Sequence, residues 1–166
     1  MVNFSHMPIT ADSFRAALGR FASGVTVVSA RDDERRDHGM TVSAFASLSL
    51  DPPLVLACID KAASIYPLLQ RAEWFGVSVL EEGQEEVARR MADGNVDGPS
   101  RFDGVGMVRR ETGLALVPDA LAHLECHAVA RHEGGDHVIL VGEVEHAQVA
   151  EGKPLLYFRG GYAALA

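Results

Sequence analysis

The sequence predicts a mainly β protein, an antiparallel barrel with a few helices packed outside it. Three observations lead there. Short runs of strand length, several of them β-branched, recur along the chain, and most are joined by brief connections containing Gly, Pro or Asp. Only three stretches carry helical spacing. Strands and helices do not alternate regularly, as a doubly wound parallel sheet would require. The 166 residues, 48% hydrophobic and 23% charged, are expected to form one domain over residues 1–166.

Taken in order, Thr10 or Asp12 can cap a first helix in which Phe14, Leu18 and Phe21 share a face, and Gly24 is expected to stop it. A strand follows over residues 25–30. The charged run 31–39 reads as a solvated hairpin tip. Strands are expected over 41–50 and 54–59, separated by the Pro52-Pro53 turn. Ser64 is expected to open a helix reaching Ala72, followed by a strand over 75–80 and an amphipathic helix over 84–92. Residues 93–119 read as loop with at most short strands. The chain closes with strands over 121–132 and 136–148 about a Glu133-Gly-Gly-Asp turn, and a last piece near 154–158.

Twenty-three acidic against fifteen basic side chains give a net charge of −8, which argues against nucleic-acid and anionic-membrane partners. Cys58 and Cys126 both lie in apolar runs and read as free buried thiols, pointing to a reducing compartment. Met1–Pro8 lacks the pattern of a signal peptide, and no apolar run approaches the ~18 residues of a membrane span. A cytoplasmic location is expected.

Within 41–50, period-two alternation puts Thr41, Ser43, Phe45, Ser47 and Ser49 on one face: four small hydroxyls and one ring, with no Lys or Glu. Hydroxyls donate to phosphates, carbonyls and ring nitrogens without adding bulk, so the face suits a ligand; an exposed Ser/Thr-rich strand is the plainer alternative. Asp60-Lys-Ala-Ala-Ser64 would bring Lys61 to a helix N-terminus, a ready anion site, unless Ser64 is an ordinary cap. Arg89 and Arg90 could reach a phosphate or simply form the wet face of their helix. His123, Glu125 and His127, at i, i+2 and i+4, could chelate a metal, but no second histidine strand matches them, and exposed histidines on a barrel wall are the better reading. No metal is expected. Nucleophile-elbow, Walker, Rossmann and zinc-protease motifs are absent, which favours cofactor chemistry over side-chain nucleophiles.

The run Phe14-Arg-Ala-Ala-Leu-Gly-Arg-Phe-Ala-Ser-Gly-Val-Thr-Val-Val, followed by Gly39-Met-Thr-Val-Ser-Ala-Phe-Ala-Ser-Leu-Ser-Leu-Asp-Pro-Pro-Leu-Val, resembles the short-chain flavin reductases, the reductase components of two-component flavin monooxygenases. Gly135-Asp-His-Val-Ile-Leu-Val-Gly-Glu-Val and Pro154-Leu-Leu-Tyr-Phe-Arg-Gly-Gly-Tyr resemble that family's two later motifs. The resemblance implies an antiparallel split β-barrel that binds FMN, usually a homodimer with flavin near the subunit interface. It implies that Met40, Thr41, Val42, Ser43, Ala44, Phe45 and Ser47 line the flavin, and that Cys58, Ile59 and Asp60 continue that wall. Lys61, Ser64 and Ile65 would hold the phosphate end, with Arg89 or Arg90 adding charge.

His137, Tyr157, Phe158, Arg159 and Gly160 would meet the nicotinamide cofactor. Hydride would pass by alignment rather than through an acid or base, with His137 assisting. His38, before Gly39-Met40-Thr41, departs from the small or proline residue the family carries there. The implied activity is an NAD(P)H:flavin oxidoreductase that reduces FMN or FAD with NADH, or NADPH, and supplies a monooxygenase. A non-catalytic flavin-binding or electron-transfer protein and a metal-binding barrel are the alternatives.

Overall fold

The computed structural model describes residues 9–165; the reading of Met1–Pro8 lies outside them. In chain order the elements are α1 (Ala11–Leu18), β1 (Ser23–Gly24), β2 (Thr26–Arg31), β3 (Asp37–Val42), β4 (Phe45–Leu50), β5 (Pro53–Asp60), α2 (Tyr66–Leu69), β6 (Trp74–Val79), α3 (Glu85–Ala92), β7 (Ala122–Gly134), β8 (His137–Val149), β9 (Leu156–Phe158) and β10 (Gly161–Ala163), with a 3-10 turn at Pro99–Phe102.

Seven strands form one antiparallel sheet in the order β3-β2-β6-β7-β8-β5-β4, and β1, β9 and β10 form a small second sheet. The two edge strands of the large sheet, β3 and β4, are consecutive in sequence and separated only by Ser43 and Ala44. A ladder whose opposite edges are joined by two residues must curl until those edges meet, which is barrel geometry. β3 and β4 are not hydrogen-bonded neighbours, so the barrel has a seam. The amide of Cys58 donates to the Ala44 carbonyl at 2.9 Å and holds that seam against β5.

The barrel interior is filled by Val28, Ala30, Val55, Ala57, Ile59, Phe75, Val77, Cys126, Val138 and Leu140, plugged at one side by Ile65, Leu68 and Leu69. A second core of Val25, Val27, Leu80, Ala88, Met91, Phe102, Ala115, Val117 and Leu155 lies under α3 and the segment after it. β2 contributes to both cores, which is why Val25–Ala30 is apolar or small throughout rather than alternating.

Several local expectations are corrected. α1 ends at Leu18 with Gly19 as C-cap, not at Gly24, which lies in β1; its N-cap is Thr10, whose hydroxyl accepts from the Ser13 amide at 3.2 Å. The tip of the charged run is confined to Asp32–Arg36, where Asp32 accepts from the Glu34 and Arg36 amides, and Asp37–Gly39 already pair in β3. The segment 41–50 is two strands, so one alternating face does not run through it. Ser64 caps nothing: α2 begins at Tyr66 after Ile65, with no side-chain cap bond, and spans four residues. Residues 93–119 are loop as expected, apart from the 3-10 turn and an isolated bridge between Val108 and Leu116, and they bury Phe102 and Leu114–Val117 in the second core.

Candidate functional site

The seam opens into a groove of about 630 Å³. One wall is the β3–β4 junction and the outer face of β5: Ser43, Ala44, Phe45, Ala46, Leu56 and Cys58. The opposite wall is α1 with the turn of the small sheet: Phe14, Arg15, Leu18, Gly19, Phe21, Ser23, Tyr157, Arg159 and Gly160. The groove lies there because β5 alternates. Val55, Ala57 and Ile59 point into the core, which leaves Leu56 and Cys58 half-exposed on the other face. α1 has no buried residue, and its apolar side meets the groove instead of a core: Phe14 and Leu18 are each 53% exposed, and Phe21, just after the helix, is 78% exposed.

The turn at the far wall has a defined cause. β9 pairs with β10 with Phe158 opposite Gly161, so Arg159-Gly160 is a two-residue hairpin loop. Both residues have positive φ, 53° and 81°, the backbone a right-twisted two-residue hairpin needs. The Arg159 amide donates to the Gly19 carbonyl at 2.9 Å, tying this turn to the end of α1. Tyr157 stacks edge-on with Tyr162 at 5.6 Å, and the Arg89 guanidinium lies 5.0 Å from the centre of the Tyr162 ring. Burial pushes the Tyr162 phenol above its ordinary pKa. A second cleft of about 390 Å³, lined by Arg89, Ala92, Asp93, Tyr157, Gly160, Gly161 and Tyr162, adjoins the first through Tyr157 and Gly160.

Of the residues the sequence singles out, the groove thus brings together Ser43, Ala44, Phe45, Cys58, Tyr157, Arg159 and Gly160. The others stand elsewhere. Val42, Ile59 and Ile65 are buried in the barrel core, and Met40 packs against it. The Thr41 hydroxyl donates to the Ala88 carbonyl at 2.6 Å, joining β3 to α3. Ser47 is exposed on the edge strand β4, before the irregularity between Ser47 and Ser49, and Phe158 is exposed on β9.

Arg90 is committed to the Ser100 and Arg101 carbonyls at 2.7 and 2.9 Å, and Arg89 to Glu85. The Lys61 ammonium donates to Glu133 and, at 2.7 Å, to the Gly135 carbonyl; the Glu133 carboxylate raises its pKa above the ordinary lysine value. With no helix end beginning at Ser64, the argument for an anion held there by a helix terminus lapses.

His137 opens β8 opposite Asp60, as Ile139 stands opposite Cys58. Directly paired residues share a sheet face, so His137, Asp60 and Cys58 lie on the face that floors the groove. The His137 ring meets the Asp136 carboxylate at 2.7 Å and holds that group's pKa below the carboxylate range. His123, Glu125 and His127 do share one face of β7, but each is committed separately. His123 meets the Val117 carbonyl at 2.7 Å, Glu125 accepts from the Glu111 and Thr112 amides, and His127 packs on Trp74. Among the described residues no group of three or more metal-ligating side chains is assembled.

The residues that sequence reasoning missed as site residues are mostly on α1 and the turn after it: Phe14, Arg15 and Leu18, then Gly19 and Phe21. Their spacing identified a face, and nothing local said that the face opens on a groove. Among the described residues no helix is long and apolar enough to cross a membrane.

Comparison with known proteins agrees with this architecture. A family model described as a flavin reductase like domain matches residues 18–166. The reductase component of a 4-hydroxyphenylacetate 3-monooxygenase from Thermus thermophilus is 45% identical over 159 residues, covering 93% of this chain and 96% of that one. An NADH-dependent flavin reductase from a Rhodococcus species is 42% identical, covering 95% and 88%. A Streptomyces globisporus NADH:FAD oxidoreductase, solved in complex with NAD and FAD fragments, superposes with a TM-score of 0.87 at 41% identity, over 93% of this chain and 92% of that one.

Proposed function

The chain belongs to the flavin reductase-like family, and on that premise we propose that it reduces FMN or FAD with NADH and delivers the reduced flavin to a partner monooxygenase. The observation that carries the reading is the groove at the barrel seam. Its 630 Å³ and its apolar lining suit a flat heteroaromatic ring, with the Ser43 hydroxyl and the backbone of the seam at the edge as polar contacts. A flavin held there would supply the hydride acceptor for NADH. The residues of this chain bind and orient. Ser43, Ala44, Phe45 and Cys58 hold one side of the ring, and Tyr157 with the Arg159-Gly160 turn bounds the other. His137, on the same sheet face beyond Cys58, would be the residue to hydrogen-bond the nicotinamide carboxamide. No residue needs to move a proton for the transfer itself.

We read the protein further as a cytoplasmic homodimer of one-domain subunits. Phe14, Leu18, Phe21 and Leu50 are 53%, 53%, 78% and 94% exposed in the single chain, which is apolar area suited to a second copy. Two unpaired cysteines suit a reducing compartment.

The test is NADH oxidation by the purified protein with excess FMN or FAD, followed anaerobically by absorbance. Steady turnover until flavin or NADH is exhausted is expected. Flavin that binds without being reduced would overturn the reading.

A further inference from the structure

Beside the groove lies a smaller cavity of about 290 Å³, lined by Arg15, Ala16, Gly19, Arg20, Arg159 and Gly160. Arg15, Gly19, Arg159 and Gly160 also line the groove, so the two spaces are continuous. Three arginines line this cavity and, among the described residues, no carboxylate lines either space, in a chain whose net charge is −8. Among the described residues the side chains of Arg20 and Arg159 make no hydrogen bond or ion pair, and Arg15 has only the exposed Asp12, at 3.1 Å. Like charges lining one cavity repel one another, and a cluster with so little counter-charge suits an anion.

The backbone places two of these arginines together. Arg159 occupies a left-handed position, φ 53°, where a two-residue turn ordinarily takes Asn, Asp or Gly. The turn sits against the helix end: a Cβ built on Gly19 would lie 3.0 Å from the Arg15 carbonyl oxygen and 3.5 Å from the Arg159 Cα. The arginines therefore spring from backbones in near contact.

We propose that Arg15, Arg20 and Arg159 bind the diphosphate of a dinucleotide whose ring occupies the adjoining groove. This rests on the reading that the groove takes flavin and nicotinamide. A diphosphate diester carries two negative charges, and guanidinium forks match phosphate oxygens pairwise. FAD and NADH both carry that group, FMN carries a single phosphate, and riboflavin none.

The experiment compares wild type with Arg20→Gln and Arg159→Asn, the second because asparagine tolerates the left-handed turn and so removes charge without removing the turn. Thermal melting establishes that each variant folds. Flavin affinity is measured by fluorescence titration with FAD, FMN and riboflavin, and KM is measured for NADH and for reduced nicotinamide mononucleotide. If the diphosphate is that of FAD, its Kd rises about tenfold or more while riboflavin is unchanged. If it is that of NADH, its KM rises by about the same factor while the mononucleotide is unchanged. Either result supports the proposal.

Folded variants that match wild type with every ligand overturn it and leave the flavin reading intact. Equal weakening of FMN and FAD also overturns it, because one phosphate would then suffice. Wild-type protein that neither binds flavin nor oxidises NADH overturns the reading and the proposal together.

Discussion

The ring of Phe75 fills the space that a side chain at residue 142 would need: a Cβ built on Gly142 falls 2.3 Å from Phe75 Cζ and 2.9 Å from Cys126 Cβ. Phe75 is fully buried on β6, and Gly142 lies two strands away on β8, across Cys126 of β7. A glycine in the middle of a long strand is here a packing requirement rather than a break.

Gly142→Ala should therefore cost about 1–3 kcal/mol, since neither a buried ring nor the backbone can yield that distance cheaply. Urea unfolding would measure it. Phe75→Leu combined with Gly142→Ala should lose less than the sum of the two single changes, because the leucine vacates the contested space. Additive losses would show that the two positions do not compete.

Asp32 accepts from the His38 ring at 3.0 Å, from the Arg36 amide at 2.9 Å and from the Arg36 side chain at 2.8 Å. The His38 contact is the largest cause holding its carboxyl well below the usual carboxylate range. A depressed folded-state pKa contributes stability that is present above the unfolded pKa of about 3.9 and fades as the pH falls below it. Relative to Asp32→Asn, wild type should be more stable at pH 7, with the gap narrowing at pH 3 and narrowing further at pH 2. A gap independent of pH in denaturant titrations would rule the ion pair out as its source.

Burial pushes the Cys126 thiol up to about 12, whereas Cys58 is half-exposed in the groove. One thiol per chain should react readily with a disulfide reagent at pH 8, and two after unfolding. On the proposed function, saturating FMN should slow the reactive one. Equal rates with and without FMN would place the ring away from Cys58.

His137→Ala should raise KM for NADH by about three- to tenfold, the value of one neutral hydrogen bond, with flavin affinity unchanged. Anaerobic stopped-flow reduction at saturating flavin would report it. Wild-type rates at every NADH concentration would remove His137 from the nicotinamide side.

Much of the fold was legible because local chemistry and tertiary context agree in it. Thr10 caps α1 as its hydroxyl suggests, and Gly135-Asp136 turns the β7–β8 hairpin with Gly135 at φ 74°. The misreadings occur where they disagree. Ser64 is a good cap residue, but α2 begins two residues later, at Tyr66, with Leu68 and Leu69 drawn into the barrel end. Val42, Ala44 and Ala46 keep period two across Ser43, so nothing in the residue types marks the break between β3 and β4; the curl of seven strands does. Half of the site was visible as hydroxyls and small residues of the seam. The other half, on α1, was hidden because an apolar helix face is the same pattern whether it meets a core, a ligand or a second chain.

The joint at Ser43-Ala44 has no slack. Two residues bridge the opposite edges of a seven-stranded ladder, and the Cys58–Ala44 hydrogen bond pins them midway. Inserting a single residue there would spread the closure and slide Phe45–Leu50 by one position against β5, exchanging the faces of an entire strand. The tip at Asp32–Arg36, by contrast, can lengthen at little cost, since it joins strands that are already neighbours. At the seam the constrained quantity is chain length: the barrel gauges the width of its own ligand seat by counting residues, and substitutions there are better tolerated than a change in the count.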